Sequence, residues 1–441
     1  MKIVEMRVTP VAMADPPLLS SYGLHAPYAL RTVVELVSED GLTGAAETHG
    51  GAGTLAQIER VRPTVIGRDA YDLARLASAV DALFAVPPSD PRRGVQAVEA
   101  TQTFILPGEN SADVAARVFG ALEVASLDLI GKATGVPVCD LLGGRVRDEV
   151  PFSAYLFYKK AGGGGSGDDA REDRWGECLD AAAIVRQARD MVADYGFGSI
   201  KLKGGVLPPD DEIEAILALR DAFSPQMPLR IDPNGAWAVE TSIRVGVALA
   251  GTLEYLEDPT PGVDGMAAVR RGLLAAGVET PLASNNALTS FADLPTALAA
   301  GSAQVILSDH HYWGGLRAIT QLGRLCETVG IGLSMHSNSH LGLSLLAMVH
   351  LAAATGHLTF ASDTHYPWQR AEDEILASGR VQFQDGTVRV PTAPGLGAEL
   401  DRDALARGRE RYERSGLRNR DDEGEMRRHV DRSWRRLAPR W

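Results

Sequence analysis

Leu229–Trp237 reads LRIDPNGAW: a short, mostly apolar run ends in an acid, and Pro233, Asn234 and Gly235 then turn the chain away. The pattern recurs on both sides. Upstream lie Phe152–Tyr158 (FSAYLFY) and Phe197–Lys203 (FGSIKLK). Downstream lie Leu253–Glu257 (LEYLE), Pro281–Asn285 (PLASN), Gln304–Asp309 (QVILSD), Ile331–His336 (IGLSMH) and Leu358–Asp363 (LTFASD). Between Asp232, Glu257, Asn285, Asp309, His336 and Asp363 the gaps are 25, 28, 24, 27 and 27 residues. A strand, a helix and two loops need about that length. Eight such units predict an α/β fold, a (β/α)₈ barrel. A doubly wound sheet would instead concentrate its chemistry in one phosphate loop at a switch point. In a barrel the C-terminal strand ends surround one mouth, so residues far apart in sequence become neighbours there.

Ahead of the barrel, Lys2–Val11 and Arg31–Ser38 read as strands. Asp40–Gly44 reads as a turn before a short strand into Glu47, and Ser111–Thr134 carries helical spacing. Strands followed by helices predict an α+β domain over residues 1–140, with the barrel over 141–390 and a further segment over 391–441. Gly162–Gly165 are four consecutive glycines inside a Gly/Ser/Asp-rich stretch, and predict a mobile loop, either a linker or a lid. The 441 residues carry a net charge of −13, which excludes a general nucleic-acid binder. Cys139, Cys178 and Cys326 form neither a metal motif nor a disulfide framework. No apolar run suits a signal peptide or a bilayer span, so a soluble cytoplasmic protein without membrane contacts is expected.

The strand ends carry the chemistry. Lys201 and Lys203 alternate onto one face of their strand, where mutual repulsion and burial are expected to lower both ammonium pKa values toward a usable general base. Asp232, Glu257 and Asn285 close three successive strands, and oxygen donors of that kind suit a hard divalent cation, Mg²⁺. Asn286 competes with Asn285 for the third place. A single acid at such a point more often caps the next helix; three in succession after a lysine pair favour the metal. Asp309 and His336 close the next two strands, and a carboxylate beside a histidine fixes its tautomer and raises its basicity. His336 is then expected to face Lys203 across the mouth. His310, His311 and His340 are lesser candidates. His350 and His357 read as structural. The adjacent His310 and His311 are expected to point to opposite faces.

These motifs together resemble the enolase superfamily, and within it the glucarate dehydratase branch. The resemblance rests on IKLKGG (Ile200–Gly205), IDPNGAW (Ile231–Trp237), YLEDP (Tyr255–Pro259), the Asn285 strand, Asp309 with His311-Tyr-Trp313, and HSNSH (His336–His340). It extends to SYGLHAP (Ser21–Pro27), QTF (Gln102–Phe104), SAYLFY (Ser153–Tyr158), SDTH (Ser362–His365), PGLG (Pro394–Gly397) and NRDD (Asn419–Asp422). It implies an α+β capping domain over a modified TIM barrel, a C-terminal segment returning to the cap, one Mg²⁺, and dehydration of an acid sugar. By the same resemblance Lys203 and His336 are the acid/base pair. Lys201 lies against the substrate carboxylate, Asp309 partners His336, and Asp232, Glu257 and Asn285 hold the metal. His25, Thr103, Tyr155, Phe157, Ser337, His365 and Arg420 surround the diacid. The chain departs from the pattern at Ser20, where the family commonly has asparagine, and in the tail ending RRLAPRW. Both departures bear on the far end of the substrate.

The expected activity is a Mg²⁺-dependent hydro-lyase acting on D-glucarate or a related hexarate. A sibling acid-sugar dehydratase or an epimerase would use the same constellation. A zinc hydrolase would want a His-x-His on the first barrel strand, which ends FSAYLFYKK. An inactive barrel acting as a binding protein would have no need of both lysines, three ligands and an Asp–His pair. The expected partners are a small-molecule acid sugar and other copies of the chain, in a homo-oligomer.

Overall fold

The computed structural model describes residues 1–25, 27–85 and 111–441. Eight parallel strands form a nearly closed barrel. In chain order they are Glu149–Phe157, Ile200–Lys203, Leu229–Asp232, Tyr255–Glu257, Leu282–Ser284, Val305–Ser308, Gly332–Met335 and Ser362–Thr364. The first seven pair in sequence order, and the eighth pairs with the first, Ser362 opposite Phe152. Between the seventh and eighth, Thr359 N and Phe360 N donate to Leu333 O at 3.0 and 3.3 Å. The strands are shorter than the sequence runs because the chain leaves the ladder before the functional residue in several units. Asn285, Asp309 and His336 each lie one residue beyond a strand.

The helices of the outer ring follow from their caps and spacing. Helix Ala181–Tyr195 starts where the Asp180 carboxylate accepts from Ala183 N, and ends at Gly196, whose φ of 73° closes it in the left-handed region. Helix Leu316–Val329 buries Ile319, Leu322, Gly323 and Cys326, the i, i+3, i+4, i+7 stripe that packs on a barrel wall. The apolar run after His340 becomes helix Gly342–Ala354, buried nearly throughout.

Over the mouth sits an antiparallel sheet of Ile3–Ala14, Tyr28–Ser38 and Thr43–His49, with Tyr28–Ser38 central. Helix Ser111–Thr134 packs against it, and Asp128 Oδ2 accepts from Ala45 N at 2.8 Å. After the barrel, helix Arg402–Ser415 packs on Ile3–Ala14, with Arg411 Nε donating to Ala12 O at 3.0 Å.

The glycine-rich stretch is no free linker. Lys159 Nζ and Gly162 N converge on the Asp173 carboxylate at 2.8 and 2.7 Å. A Cβ at Gly163 or Gly164 would fall 2.2 or 2.4 Å from a backbone oxygen, of Arg171 or Asp15. These glycines permit close backbone contact with the rest of the fold rather than mobility. Among the described residues no helix is long and apolar enough to cross a membrane.

Candidate active site

The barrel register sets the site in layers. Phe157, Lys203 and Asp232 lie level across the first three strands, and Tyr155 and Lys201 lie level one side-chain pair below. Lys203 Nζ meets Asp232 Oδ2 at 2.6 Å and the Tyr155 hydroxyl at 3.1 Å. Lys201 Nζ lies 2.6 Å from both Glu257 Oε2 and Asp363 Oδ2, and 3.7 Å from Asp232 Oδ2. Both ammonium groups also stand over the Tyr155 ring, at 4.7 Å for Lys201 and 5.7 Å for Lys203.

The expected fall of both lysine pKa values does not hold for Lys201. Burial alone would lower it, but Asp363 and Glu257 together outweigh that and hold it well above its ordinary value. Repulsion between the two lysines is outweighed because carboxylates from other strands face Lys201.

Asp232 and the acid after Glu257 do not cap the next helices, whose N-caps are Ala238 and Pro261. Asp232 Oδ1 instead accepts from Asn234 N and Nδ2 at 2.9 and 2.6 Å. Asp258 accepts from Ser284 Oγ at 2.6 Å and from the amides of Asn285 and Asn286 at 2.8 and 3.0 Å. With its amide oriented to satisfy its neighbours, Asn285 donates to Asp258 Oδ2 (2.9 Å) and Glu257 Oε1 (3.1 Å) and accepts from His336 Nε2 (3.3 Å). Asn285 thus joins the carboxylates to the histidine.

On the opposite side, Asp309 bridges two imidazoles. Its Oδ2 lies 2.9 Å from His336 Nδ1, and its Oδ1 lies 2.7 Å from His311 Nδ1 and 2.8 Å from His311 N. Burial would raise the Asp309 carboxyl, but the charge and hydrogen bonds of His311 and His336 hold it well below the carboxylate range. An ionised Asp309 accepts from Nδ1 of His336, so its Nε2 is the atom left for chemistry. Strand alternation does not separate His310 from His311, because the strand has ended at Ser308; their rings lie 3.8 Å apart.

A cavity between barrel and cap brings most of the expected residues together. Lys203, Asn285, Asn286 and His336 line its barrel side with Phe157, Ser337 and His365, while Ser20, Tyr22, His25 and Arg420 close it from the cap and tail. Phe157 is held by Gln187, which accepts from Phe157 N (2.9 Å) and donates to Phe157 O (3.1 Å). Ser337 Oγ contacts His365 N and Nδ1 at 3.1 and 3.2 Å. Burial, then the neighbouring imidazoles of His25, His340 and His336 and the Lys203 ammonium, keep His365 well below the usual histidine range. Arg420 pairs with Asp422 through two bonds of 2.6 and 2.8 Å. Lys201, Tyr155, Asp232 and Glu257 are fully buried beneath this lining. Thr103 and the Gln102–Phe104 motif lie outside the described residues. The remaining histidines serve the fold: His340 contacts Thr364 Oγ1 (3.3 Å), His350 accepts from Cys139 N (3.3 Å) and His357 meets Ile331 O (2.8 Å).

The enolase C-terminal domain-like family matches residues 183–404. A probable glucarate dehydratase of Streptomyces coelicolor is 45% identical over 100% of this chain and 99% of its own length. An enolase structure from Thermobispora bispora, complexed with magnesium and formate, superposes with a TM-score of 0.90 at 52% identity, covering 100% of both chains. An enolase from Pseudomonas fluorescens with bound magnesium, potassium and tartrate gives 0.91 at 45% identity, over 100% of this chain and 99% of that one. The chain belongs to the enolase superfamily. It is an enzyme of that superfamily's hydro-lyase kind.

The buried charge fits a superfamily metal. Three carboxylates, Asp232, Glu257 and Asp363, face two ammonium groups, Lys201 and Lys203, in the interior, and a fourth buried carboxylate, Asp258, acts on Glu257. Arg230 below them is matched by Glu254 at 2.6 Å. Burial and the neighbouring Asp232 charge hold Glu257 well above the ordinary carboxyl range. They push Asp258 up to about 6. A divalent cation would relieve that excess negative charge; the buried Asp232 and Glu257 carboxylates would hold it, with Asn285 turning its amide oxygen from His336 toward Glu257.

Sequence reasoning missed three supports. Asp363 was visible as a strand-end acid, but only the fold shows it paired with Lys201. Glu212 accepts from the amides of Gly205, Val206 and Leu207 at 2.9, 2.8 and 3.0 Å, fixing the loop that follows Lys203. Arg31 of the cap sheet pairs with Glu47 (2.6 Å) and reaches His49 (2.9 Å), and His49 stacks on His311 at 4.8 Å. No local motif signals those long-range contacts.

Proposed function

We propose that the enzyme is a Mg²⁺-dependent acid-sugar dehydratase that acts on D-glucarate or a related hexarate and yields a keto-deoxy diacid. The observation that carries this reading is one cavity flanked by Lys203 on one side and an Asp309-backed His336 on the other, above Asp232, Glu257 and Asn285. Mg²⁺, when bound by those three residues, supplies electrophilic stabilisation for the negative charge that develops on the substrate carboxylate. Lys203 Nζ or His336 Nε2 takes the proton alpha to that carboxylate, according to the configuration at the alpha carbon. The C–H electron pair forms the new C=C bond, the C–O bond to the beta-hydroxyl breaks, and an acid delivers a proton so that water departs. The enol product then ketonises. His336 can serve in both senses: its two N–H groups can face Asp309 and Asn285, and loss of the Nε2 proton leaves a lone pair toward the cavity. His25, Phe157, Ser337, His365 and Arg420 orient the diacid. The S. coelicolor relative's name supports the choice of glucarate.

A screen of aldaric and aldonic acids with Mg²⁺, read by 2-keto acid formation, tests the reading. A hexarate is expected to give keto product with release of water. Epimerised substrate without keto acid would favour the second reading that two opposed bases allow, proton transfer between faces. No reaction and no alpha-proton exchange on any acid sugar would overturn both.

The cap hairpin is expected to set substrate choice, because Ser20 and Tyr22 line the cavity from a loop rather than from the barrel wall. Ser20→Asn places a larger amide there. It is expected to change relative kcat/KM among diacids by about tenfold. Ratios unchanged across the panel would remove Ser20 from recognition.

A further inference from the structure

We propose that the C-terminal tail, through Arg436, holds Tyr22 against the cavity and makes that tyrosine a determinant of which diacid is accepted. The inference rests on the acid-sugar reading above. It starts from a meeting in space: Ser20 of the cap hairpin and Arg436 of the tail contact the same residue, Ser20 at the Tyr22 backbone amide and Arg436 at its ring. Leu19–Ser20 and Gly23–Leu24 pair as a hairpin of two residues per strand, with Tyr22 in its turn. Ser20 Oγ accepts from Tyr22 N at 3.2 Å. So short a hairpin has little stability of its own, and its position depends on what it touches.

Leu19 N ties its first strand to the barrel by donating to Tyr158 O at 2.8 Å, and contacts around the turn fix its tip. Gly23, at φ 134°, lies so near the Asp422 backbone that a Cβ there would be 2.3 Å from Asp422 O. Ser21 Oγ donates to Asn234 O at 3.4 Å. The Arg436 guanidinium carbon stands 4.2 Å from the centre of the Tyr22 ring. A planar guanidinium over an aromatic face is attracted by the ring quadrupole and covers the ring from water. Tyr22 is 6% exposed while lining the cavity.

Arg436 is itself anchored at the end of its segment. Arg440 N and Trp441 N donate to Ala236 O at 2.7 and 2.9 Å, and Ala238 N donates to Trp441 O. Ala236 and Ala238 continue the turn after Asp232 that carries Asn234, another cavity residue. The tail therefore runs from the barrel wall to the cap hairpin and couples them. Burial pushes the Tyr22 phenol up to about 12, although Arg436 pulls the other way, so its hydroxyl stays neutral at working pH. Lys203 and His336 stand on the barrel side and the hairpin closes the cap side. A six-carbon diacid that reaches from one to the other feels Tyr22 more than a four-carbon diacid does.

The test uses the Mg²⁺-loaded enzyme with D-glucarate and with tartrate as the short probe. Arg436→Ala is expected to raise KM for the hexarate about three- to tenfold with kcat within twofold. Alpha-proton exchange on tartrate should stay within twofold. Arg436→Lys, which keeps a cation over the ring, should recover most of the loss. Tyr22→Leu should shift the hexarate-to-tartrate ratio in the same direction, and the double variant should shift it no further than either single change, as for residues acting as one unit. Several results would overturn the inference: an unchanged ratio in Arg436→Ala, effects that multiply in the double variant, or equal losses on both substrates with a lowered Tm. A wild-type enzyme inactive toward every acid sugar would remove the function reading and this inference with it. An active wild type whose variants keep their ratios would remove this inference alone.

Discussion

Lys203→Ala is expected to stop alpha-proton exchange on one configuration at the reacting carbon and spare it on the other, with His336→Asn showing the reverse. Lys203 lies on the second barrel strand, fixed by the Asp232 carboxylate at 2.6 Å and the Tyr155 hydroxyl at 3.1 Å. His336 follows the seventh strand, fixed by Asp309 at 2.9 Å. Both line one cavity, and each can reach only the face of the carbon that it looks at. Loss of a positioned acid or base costs on the order of 10² to 10⁴ in rate. That is the expected loss for the affected epimer, while the spared one should change severalfold at most. Deuterium incorporation followed by NMR in D₂O with Mg²⁺ reads each epimer separately. Both variants should melt near wild type, which matters because Lys203 also partners a buried carboxylate. Equal loss for both epimers in folded, metal-binding variants would refute the two-base arrangement.

Why so much of this site was legible in the sequence follows from barrel geometry. Lys203, Asp232, Glu257, Asn285, Asp309 and His336 each close a βα unit, and the fold brings all such ends together. Spacing alone therefore predicts the neighbourhood that the barrel forms. The pattern broke down where the partner comes from another layer. Lys201 is of this kind, since Glu257 and Asp363 reverse the effect of burial and come from strands 56 and 162 residues away. So is the His310–His311 error, because alternation applies only while the chain remains in the ladder, and Ser308 ends it. The glycine run differs from its expected mobility because composition reports conformational freedom, whereas Gly163 and Gly164 use their missing side chains for close packing. Contacts between the cap and the tail, such as Arg436 on Tyr22, have no sequence signature at all.

Glu257→Gln is expected to weaken Mg²⁺ binding by a factor on the order of 10² to 10³. Glu257 is fully buried and its Oε1 lies 3.1 Å from the Asn285 amide nitrogen, so the two side chains already share one place. The substitution conserves shape and one oxygen donor but removes a unit of charge. One charge about 4 Å from another is worth about 4 kcal/mol at an effective dielectric near 20, or about three powers of ten. The amide oxygen that glutamine retains recovers part of that. Lys201 would still face Asp363 at 2.6 Å, so its ammonium is not stranded. Removing Glu257 also removes its repulsion with Asp232, the neighbour that helps hold its carboxyl high. Metal-free protein should therefore retain its fold, with wild-type near-ultraviolet dichroism, while titration calorimetry shows the metal affinity lost. This separates a ligand from a structural acid: a purely structural Glu257 would change Tm and leave Mg²⁺ affinity alone. Unchanged affinity in a folded variant would take Glu257 out of the metal site and leave Asp232 and Asn285 without the second carboxylate that balances a divalent charge.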